Sequence, residues 1–500
     1  MLGRLKMRKL HEILCFVLSL LMISCLYTAT AVDSHYGNFN LEAEQHWETY
    51  GVGGTCIAGT HNLFVADVDG DGVLEMVTGG FMYKMVEDSR TVNQAPFKVW
   101  SWDGQRVTLE ASDHWNGNIG CLFAADVDGD NAVELITAGN VRNDTGYFSS
   151  FRIWHCGNEG LVLKAEYKGA SISSIFVSDL DSDGVQEIVT VGRLHKESVN
   201  TSQLCLWHFK DNNLLLVDRL DLDVAAVTSA NSVYACDLNG DGGVEIVTAG
   251  YSDNLNNSKG QLCVWQWNRQ EFSLKANETW QLTGGSAKTI AGGTQGNTAV
   301  NNVKAGDLDG DGYKEIVTGG FAYDGEKVNA QTKIWRWDGN VLTEKASQEW
   351  ATDYLTEVKC ISLNDVDGDG KMDIVQSGIT AAQGSFKNKE AIHDRGQLSV
   401  WSWDGTTISL KQSIDWSFDD GACAWNVANG DVDKDGVTEI ITVGCTALDD
   451  LCDPDMRIWS LPQVTASFPY NTVYAIAGIG AVAALSVSVY FMRRKRKLVK

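Results

Sequence analysis

An acidic sequence of nine residues, with the pattern D-x-[DN]-x-D-x-x-x-[ED], occurs seven times in this chain of 500 residues. The copies begin at Asp67, Asp126, Asp179, Asp237, Asp307, Asp365 and Asp431, so that successive copies are 53 to 70 residues apart. A tryptophan follows each copy, and the seven are Trp100, Trp154, Trp207, Trp265, Trp335, Trp401 and Trp459. Such repetition predicts one supersecondary unit copied along the chain, and we number repeats and acidic loops 1 to 7 in chain order.

Each repeat contains four short segments with the composition of β-strands. In repeat 1, NLFVAD precedes the acidic loop, EMVTGG follows it, FKVWSWDG carries the tryptophan and LEASDHW at 109–115 ends the repeat. β-branched and aromatic residues dominate, and Asp-Gly pairs supply hairpin turns. We therefore predict an all-β fold, a seven-bladed β-propeller of four-stranded blades. A linear β-solenoid is the alternative, although solenoid repeats are usually shorter.

The two ends of the repeat region complement each other. The first element, LEAEQHW at 41–47, resembles a fourth strand with no blade before it, and the last, MRIWS at 456–460, resembles a third strand with no fourth after it. Joining them completes a seventh blade and removes the exposed edges that an open array would leave. The propeller is therefore expected to occupy residues 41–460.

The acidic loops have the chemistry of metal sites. Alternating carboxylates on a tight loop converge on one point, and glycine at the fourth and sixth positions permits the backbone conformations that this requires. Oxygen ligands in this number favour Ca²⁺ over Zn²⁺ or Cu²⁺, so we predict up to seven structural calcium ions. The candidate ligands are Asp67, Asp69, Asp71, Glu75, Asp126, Asp128, Asp130, Glu134, Asp179, Asp181, Asp183, Glu187, Asp237, Asn239, Asp241, Glu245, Asp307, Asp309, Asp311, Glu315, Asp365, Asp367, Asp369, Asp373, Asp431, Asp433, Asp435 and Glu439.

An EF-hand is the first alternative to a calcium loop of this kind. An EF-hand needs an acidic twelfth position and flanking helices, but that position holds threonine in six loops and Gln376 in the other, and the flanks have strand composition. The loops could also be acidic turns without metal. They are not equivalent, because Asn239 replaces a carboxylate in loop 4, Asn131 replaces glycine in loop 2, and Lys434 brings a positive charge to loop 7. We expect loops 2 and 7 to bind calcium more weakly.

The motif D-x-D-G-D-G-x-x-E/D within its strand frame resembles the FG-GAP repeats of integrin α-subunits, over residues 41–460. The resemblance implies a seven-bladed propeller with calcium loops between the first two strands of some blades, and here the looser pattern D-x-[DN]-x-D-x-x-x-[ED] is present in all seven repeats. The same repeat type occurs in adhesion receptors, in lectins and in appendages of polysaccharide-cleaving enzymes. It therefore implies an adhesion or ligand-recognition module, and the alternative is a surface polysaccharide lyase or hydrolase.

The two termini predict secretion and membrane attachment. Basic residues, an apolar run and Ala29-Thr30-Ala31 indicate a signal peptide over 1–31, with an uncleaved anchor or a lipoprotein signal at Ser24-Cys25 as alternatives. Residues 461–472 are predicted as a linker, 473–492 as a transmembrane helix and 493–500 as a basic cytoplasmic tail. Only ten of the 40 basic and one of the 65 acidic residues lie in these two terminal stretches, which leaves residues 32–472 with a net charge of −34. Such a surface repels nucleic acid.

The sequence identifies no catalytic set, since it contains no GxSxG, HExxH or phosphate-loop motif and its histidines are scattered. Long, variable connections lie on the face opposite the acidic loops, where we expect a glycan or protein ligand. Phe81, Tyr83, Phe321 and Tyr323 are candidate ligand contacts there, with packing between blades as the alternative. The seven tryptophans are expected in the core. Cys445 and Cys452 are the candidate disulfide, and Asn143, Asn200, Asn256 and Asn277 are candidate glycosylation sites.

Overall fold

A computed structural model describes residues 39–47, 56–86, 89–143, 146–157, 159–196, 199–222, 227–253, 258–282, 298–382, 394–417, 421–448 and 451–463. These residues form strands and turns, and none of them lies in a helix. A helix of the length and apolar character needed to cross a bilayer is accordingly not found in the described part of the chain. The predicted signal peptide at 1–31 and the predicted transmembrane helix at 473–492 lie outside the described residues.

The described residues contain 28 strands, which fall into seven groups of four. Repeats 1 to 3 contain β2 (Cys56–Ala66), β3 (Glu75–Val86), β4 (Ser89–Trp102), β5 (Val107–Trp115), β6 (Gly117–Ala125), β7 (Glu134–Asn143), β8 (Gly146–Gly157), β9 (Gly160–Lys168), β10 (Ile172–Ser178), β11 (Glu187–Lys196), β12 (Val199–Lys210) and β13 (Asn213–Leu222). Repeats 4 and 5 contain β14 (Val227–Cys236), β15 (Glu245–Asp253), β16 (Ser258–Trp267), β17 (Phe272–Trp280), β18 (Thr298–Gly306), β19 (Glu315–Tyr323), β20 (Val328–Trp337) and β21 (Leu342–Trp350). Repeats 6 and 7 contain β22 (Leu355–Asn364), β23 (Asp373–Ala381), β24 (Asp394–Trp403), β25 (Ile408–Trp416), β26 (Gly421–Gly430), β27 (Glu439–Leu448), β28 (Leu451–Ser460) and β1 (Asn40–His46).

Within each repeat the four strands pair antiparallel in sequence order, so that each acidic loop joins the first strand to the second. The seventh group is completed from the other end of the described chain. β1 pairs antiparallel with β28, with Asn40 opposite Ser460 and His46 opposite Asp455. This pairing confirms the predicted fourth strand of the last repeat.

The first strands of the repeats contact one another in cyclic order, from β2 through β6, β10, β14, β18, β22 and β26 and back to β2. A hydrogen bond accompanies each of these seven contacts. It is made by a polar or thiol side chain five residues before the acidic loop, and these residues are Asn62, Cys121, Ser174, Ser232, Asn302, Cys360 and Asn426. The last bond closes the order, because Asn426 Nδ2 donates to the carbonyl oxygen of His61, 3.1 Å away.

The seven repeat tryptophans are buried, with at most 6% of each side chain exposed. In six repeats the indole nitrogen donates to a threonine hydroxyl on the second strand, as Trp100 does to Thr78 at 2.9 Å. In repeat 6 the threonine is replaced by Gln376, and Trp401 donates to Ser399 instead. The prediction that these tryptophans belong to the core is confirmed, and in six repeats their bonds join the third strand to the second, whereas the bond of Trp401 stays within the third strand.

Candidate metal centres

Each acidic loop is folded by its own aspartates. In loop 1 the carboxylate of Asp67 accepts the backbone N–H groups of Gly70 at 2.8 Å and Gly72 at 2.9 Å, and Asp71 accepts that of Val73 at 2.7 Å. The bond from the sixth residue to the first aspartate recurs in all seven loops, as does the bond from the seventh residue to the fifth. The loop shape is therefore determined by the sequence pattern itself.

The fourth and sixth residues adopt left-handed backbone conformations, as the glycine pattern predicts. Gly70 and Gly72 have φ angles of 79° and 81°. Three loops place another residue there, namely Asn131 at 69°, Ser182 at 57° and Lys434 at 61°. Asparagine tolerates the left-handed conformation better than most other non-glycine residues do. Lysine does not share this tolerance, so Lys434 costs backbone free energy.

The ninth residue of each loop is a buried carboxylate. At most 3% of Glu75, Glu134, Glu187, Glu245, Glu315, Asp373 and Glu439 is exposed. One oxygen of each accepts the backbone N–H of the second loop residue, at 2.8 to 3.3 Å, which ties the second strand to the start of the loop. A buried anion with a single neutral donor is unfavourable unless a cation lies beside it.

The protonation equilibria of these buried groups reflect that cost. Burial raises the pKa of Glu75, Glu134, Glu315 and Glu439 to about 7, and the loop aspartates beside them raise it further while the backbone hydrogen bond opposes the change. A divalent cation bound by the same oxygens would reverse this effect by stabilising the charged form.

In at least five of the loops, carboxylate oxygens lie close enough together that they could hold one metal ion. In loop 1, oxygens of Asp67, Asp69 and Asp71 lie within 4.8 Å of one another. In loops 2, 3 and 6 the buried ninth residue takes part, as in the group Asp126, Asp128 and Glu134. A donor set made of carboxylate oxygens fits a hard cation such as Ca²⁺ and does not fit the nitrogen and sulfur preference of Zn²⁺. The residues present therefore fit the predicted ion.

Basic side chains enter some of the loops. Lys411 Nζ lies 2.8 Å from Asp367 and 3.0 Å from Asp369 in loop 6. Arg336 bonds Glu315 at 2.6 Å and Asp311 at 2.8 Å in loop 5. His208 Nε2 lies 2.9 Å from Glu187 in loop 3, where Arg269 from repeat 4 also bonds Asp181 at 2.7 Å.

The remaining loops differ from these. In loop 4, the amide of Asn239 donates to Asp241 at 3.1 Å, and Gln266 donates to Glu245 at 3.0 Å, so neutral groups surround the carboxylates. In loop 7, Lys434 extends toward loop 1, where its ammonium nitrogen lies 3.4 Å from the position that a β-carbon on Gly72 would occupy. One oxygen of Asp431 is buried there without a hydrogen-bond partner.

The residue that faces the loops from the fourth strand was not identified from the sequence. A β-bulge opposite the repeat tryptophan leaves one fourth-strand residue unpaired in every repeat. The bulged residues are Glu110, Lys164, Val217, Lys275, Lys345, Lys411 and Glu42. A lysine occurs at this position of the fourth strand in four repeats, and this recurrence was the sequence signal that could have identified it. Whether such a lysine reaches the acidic loop depends on the bulge, which the sequence does not reveal.

Two of the four candidate ligand contacts are buried, in agreement with the alternative of packing between blades. Phe321 and Tyr323 are buried, at 7% and 3% exposed, and pack with Val328 and Leu355. They are packing residues, because their side chains fill the space between repeats 5 and 6. Phe81 is only half-buried and contacts the ring of His61 at 4.6 Å. The side chain of Tyr83 lies outside the described part.

The structure gives Cys445 a possible disulfide partner that the sequence did not indicate. Cys445 lies directly opposite Cys423 on the neighbouring strand, with the two sulfur atoms 3.0 Å apart. The β27–β28 register places Cys452 opposite Ala447, two positions away from Cys445. Cys423–Cys445 is therefore a second candidate disulfide, and Cys445–Cys452 stays a prediction because the side chain of Cys452 lies outside the described part.

Of the candidate glycosylation sites, Asn277 is exposed on β17, where its side-chain oxygen accepts a bond from Gln261 at 3.1 Å. Asn143 and Asn200 lie in strands, but their side chains are outside the described part, as is the whole of Asn256.

A comparison of the chain with protein-family models and with curated proteins found no match.

Proposed function

We propose that the seven repeats form a seven-bladed β-propeller of the FG-GAP type, which acts at the cell surface as an adhesion or ligand-recognition module. The observation that carries this proposal is the closed order of the first strands, with one side-chain hydrogen bond at each of the seven contacts. A strand contributed by each end of the repeat region supports the same arrangement, since pairing of β1 with β28 leaves no edge there.

Calcium has a structural role in this proposal. The first, third, fifth and ninth loop residues would hold the ion. The ion would supply positive charge to the buried ninth carboxylate, which in loops 5 and 6 also contacts Arg336 and Lys411. Asp67 and its equivalents shape the loop through backbone bonds, while Glu75 and its equivalents connect it to the second strand. Binding therefore stabilises the hairpin of the first two strands in every repeat.

Recognition is favoured over catalysis by where the perturbed carboxylates lie. They occur at the same buried position in seven equivalent loops, whereas an active site would concentrate them in one cleft. The proposed ligand is an extracellular glycan or protein. Presentation at the cell surface rests on the sequence of residues 1–31 and 473–492, which predicts a signal peptide and single-pass attachment with the propeller outside the cell.

The test is a glycan array probed with the purified protein in millimolar calcium and in chelator, combined with a search for products in a polysaccharide panel. We expect calcium-dependent retention of specific glycans without cleavage. Release of shortened or unsaturated products would support the alternative, a polysaccharide lyase or hydrolase. If glycans and cell-surface proteins are not retained in either condition, the recognition proposal is wrong.

A further inference from the structure

A central cavity of about 330 Å³ is lined by residues from the first strands of all seven repeats. The lining contains Lys304 and Lys359 and no aspartate or glutamate, although residues 32–472 carry a net charge of −34. Most of the other lining residues are asparagine, serine or apolar residues. The cavity is therefore a basic and neutral interior within a strongly acidic molecule, and it attracts anions.

Lys304 is the group in this cavity that most needs explanation. The equivalent position in repeats 1 to 4 is aromatic, and the rings of Phe64, Phe123, Phe176 and Tyr234 form a continuous row with neighbouring centroids 4.3 to 5.4 Å apart. Lys304 Nζ follows this row, 5.7 Å from the centre of the Tyr234 ring. No ion pair joins Lys304 to a carboxylate among the described residues, and burial lowers the pKa of its amine. An ammonium group in such surroundings favours an anionic partner.

An aromatic group lies beside the second lysine. Lys359 Nζ is 2.8 Å from Glu357 and 4.8 Å from the centre of the Trp425 ring. Trp425 in turn contacts His61, with ring centroids 4.6 Å apart. Burial and the Lys359 charge lower the pKa of His61 to about 4, so this ring is neutral near pH 7. Trp425 is partly exposed, so the cavity offers an apolar stacking surface close to a cation.

The polar side chains of the cavity wall are held by hydrogen bonds. Asn62, Ser174 and Ser232 hydrogen-bond the next repeat, and Asn301 donates to the Val358 carbonyl at 2.7 Å. Groups that are held in place by such bonds lose little conformational entropy when a ligand binds. They also supply hydroxyl and amide groups around the two lysines.

We propose that this cavity binds a small, hydroxyl-rich anion, specifically a monosaccharide that carries a carboxylate, such as a terminal uronic or sialic acid of a glycan. Its carboxylate meets the Lys304 ammonium, its hydroxyl groups meet the asparagine and serine side chains, and its apolar face packs against Trp425. The cavity volume of about 330 Å³ lies at the lower end of the range of volumes found for ligand pockets. A cavity of this size accommodates one sugar residue but not a long stretch of a polysaccharide. This inference rests on the proposed recognition of glycans.

The experiment compares glucuronate and N-acetylneuraminate with neutral glucose, using saturation-transfer NMR and calorimetry on the full-length protein in millimolar calcium. We expect the acids to bind and glucose to bind about tenfold more weakly or not at all, because glucose lacks the charge-assisted bond. Lys304→Met should remove the preference for the acids, while Lys304→Arg should retain it. Lys210→Met removes an exposed lysine of repeat 3 and should leave binding unchanged.

Calcium uptake and thermal melting of each variant establish that it is folded, and the comparison of sugars in the unmodified protein needs no variant. Equal binding of glucuronate and glucose, absence of binding by both acids, or an unchanged preference in a folded Lys304→Met variant would each overturn the inference. If one of these outcomes is found while the unmodified protein still takes up calcium and retains glycans, the inference about the cavity is wrong but the proposed function stands. Loss of both of those properties in the unmodified protein would instead contradict the proposed function itself.

Discussion

The ammonium nitrogen of Lys411 lies 2.7 Å from the buried carboxylate of Asp373, which is the ninth residue of loop 6. This contact lowers the cost of burying Asp373. Burial opposes the charged form of Lys411, but its contacts with the three loop carboxylates hold the pKa of Lys411 above its usual range, so the lysine stays charged. The corresponding fourth-strand residue of repeat 1 is Glu110, whose charge raises the pKa of Glu75 further after the larger effect of burial. The buried carboxylate of loop 6 is therefore partly neutralised by a lysine of the protein, whereas that of loop 1 depends more on a bound cation.

Lys411→Met should destabilise the protein mainly in the absence of calcium. In chelator we expect the free energy of unfolding to fall by about 1–3 kcal/mol, because Asp373 is left buried without a charged partner. In millimolar calcium the loss should be smaller, because a bound ion supplies the missing charge. Chemical denaturation in both conditions measures the difference.

The matched control is Lys345→Met, which changes the same bulge position in repeat 5, where the lysine is exposed. It should change the unfolding free energy by less than about 0.5 kcal/mol in either condition. An equal loss with and without calcium for Lys411→Met would show that the lysine contributes packing alone.

Glu75→Gln should have opposite effects with and without calcium. Glutamine keeps an oxygen that can accept the Val68 N–H, but it removes a buried charge whose pKa is raised to about 7. In chelator the melting temperature should therefore stay the same or rise, and in calcium it should fall, since the ion loses a charged ligand. Glu278→Gln, which alters an exposed residue on β17, serves as the control. A variant that is less stable in chelator and unaffected in calcium would contradict this account of loop 1.

Asn62→Ala should weaken the contact between repeats 1 and 2. The substitution removes the donor to the Ile119 carbonyl at 3.1 Å, and leaving that buried acceptor without a partner costs about 1–3 kcal/mol. Thermal melting should show the loss both in calcium and in chelator, because the bond does not involve a loop. Asn213→Ala, at an exposed hairpin turn, should have little effect. Equal effects of the two changes would mean that the hydrogen bonds between first strands do not hold the repeats together.

The sulfur atoms of Cys423 and Cys445 should be joined when the protein is made in an oxidising compartment. They lie on directly opposite residues of β26 and β27 and are 3.0 Å apart. Peptide mapping without reduction should recover a linked peptide containing both. Recovery of both residues as free thiols, or of a Cys445–Cys452 link, would refute the pairing.

Much of the architecture could be predicted from the sequence because the same structural unit is encoded seven times, so that the copies can be compared with one another. The strand order within each repeat, the loop positions and the pairing of β1 with β28 were all predicted, since an error in one copy would conflict with the other six. The left-handed residues of the loops were predictable too, because few residues other than glycine adopt that conformation.

Features that depend on register between strands were not predictable. The entry of Lys411 into loop 6 requires a bulge, and the approach of Cys445 to Cys423 requires an exact cross-strand alignment, neither of which has a signature in composition. Burial of Phe321 depends on the neighbouring repeat, whereas its equivalent Phe81 stays half-buried. The ring of residues that includes Asn62 varies between asparagine, serine and cysteine, so only its common position reveals its role.

The most direct test of the account is thermal melting of the purified protein in chelator, in millimolar calcium and in millimolar magnesium. A site at ten times its dissociation constant contributes about 1.4 kcal/mol, and several such sites act together. We predict that chelation lowers the melting temperature by several degrees, that calcium restores it and that magnesium restores it only partly, because magnesium prefers a stricter octahedral site. A melting curve that is the same in all three conditions would contradict the claim that the acidic loops hold calcium to stabilise the fold.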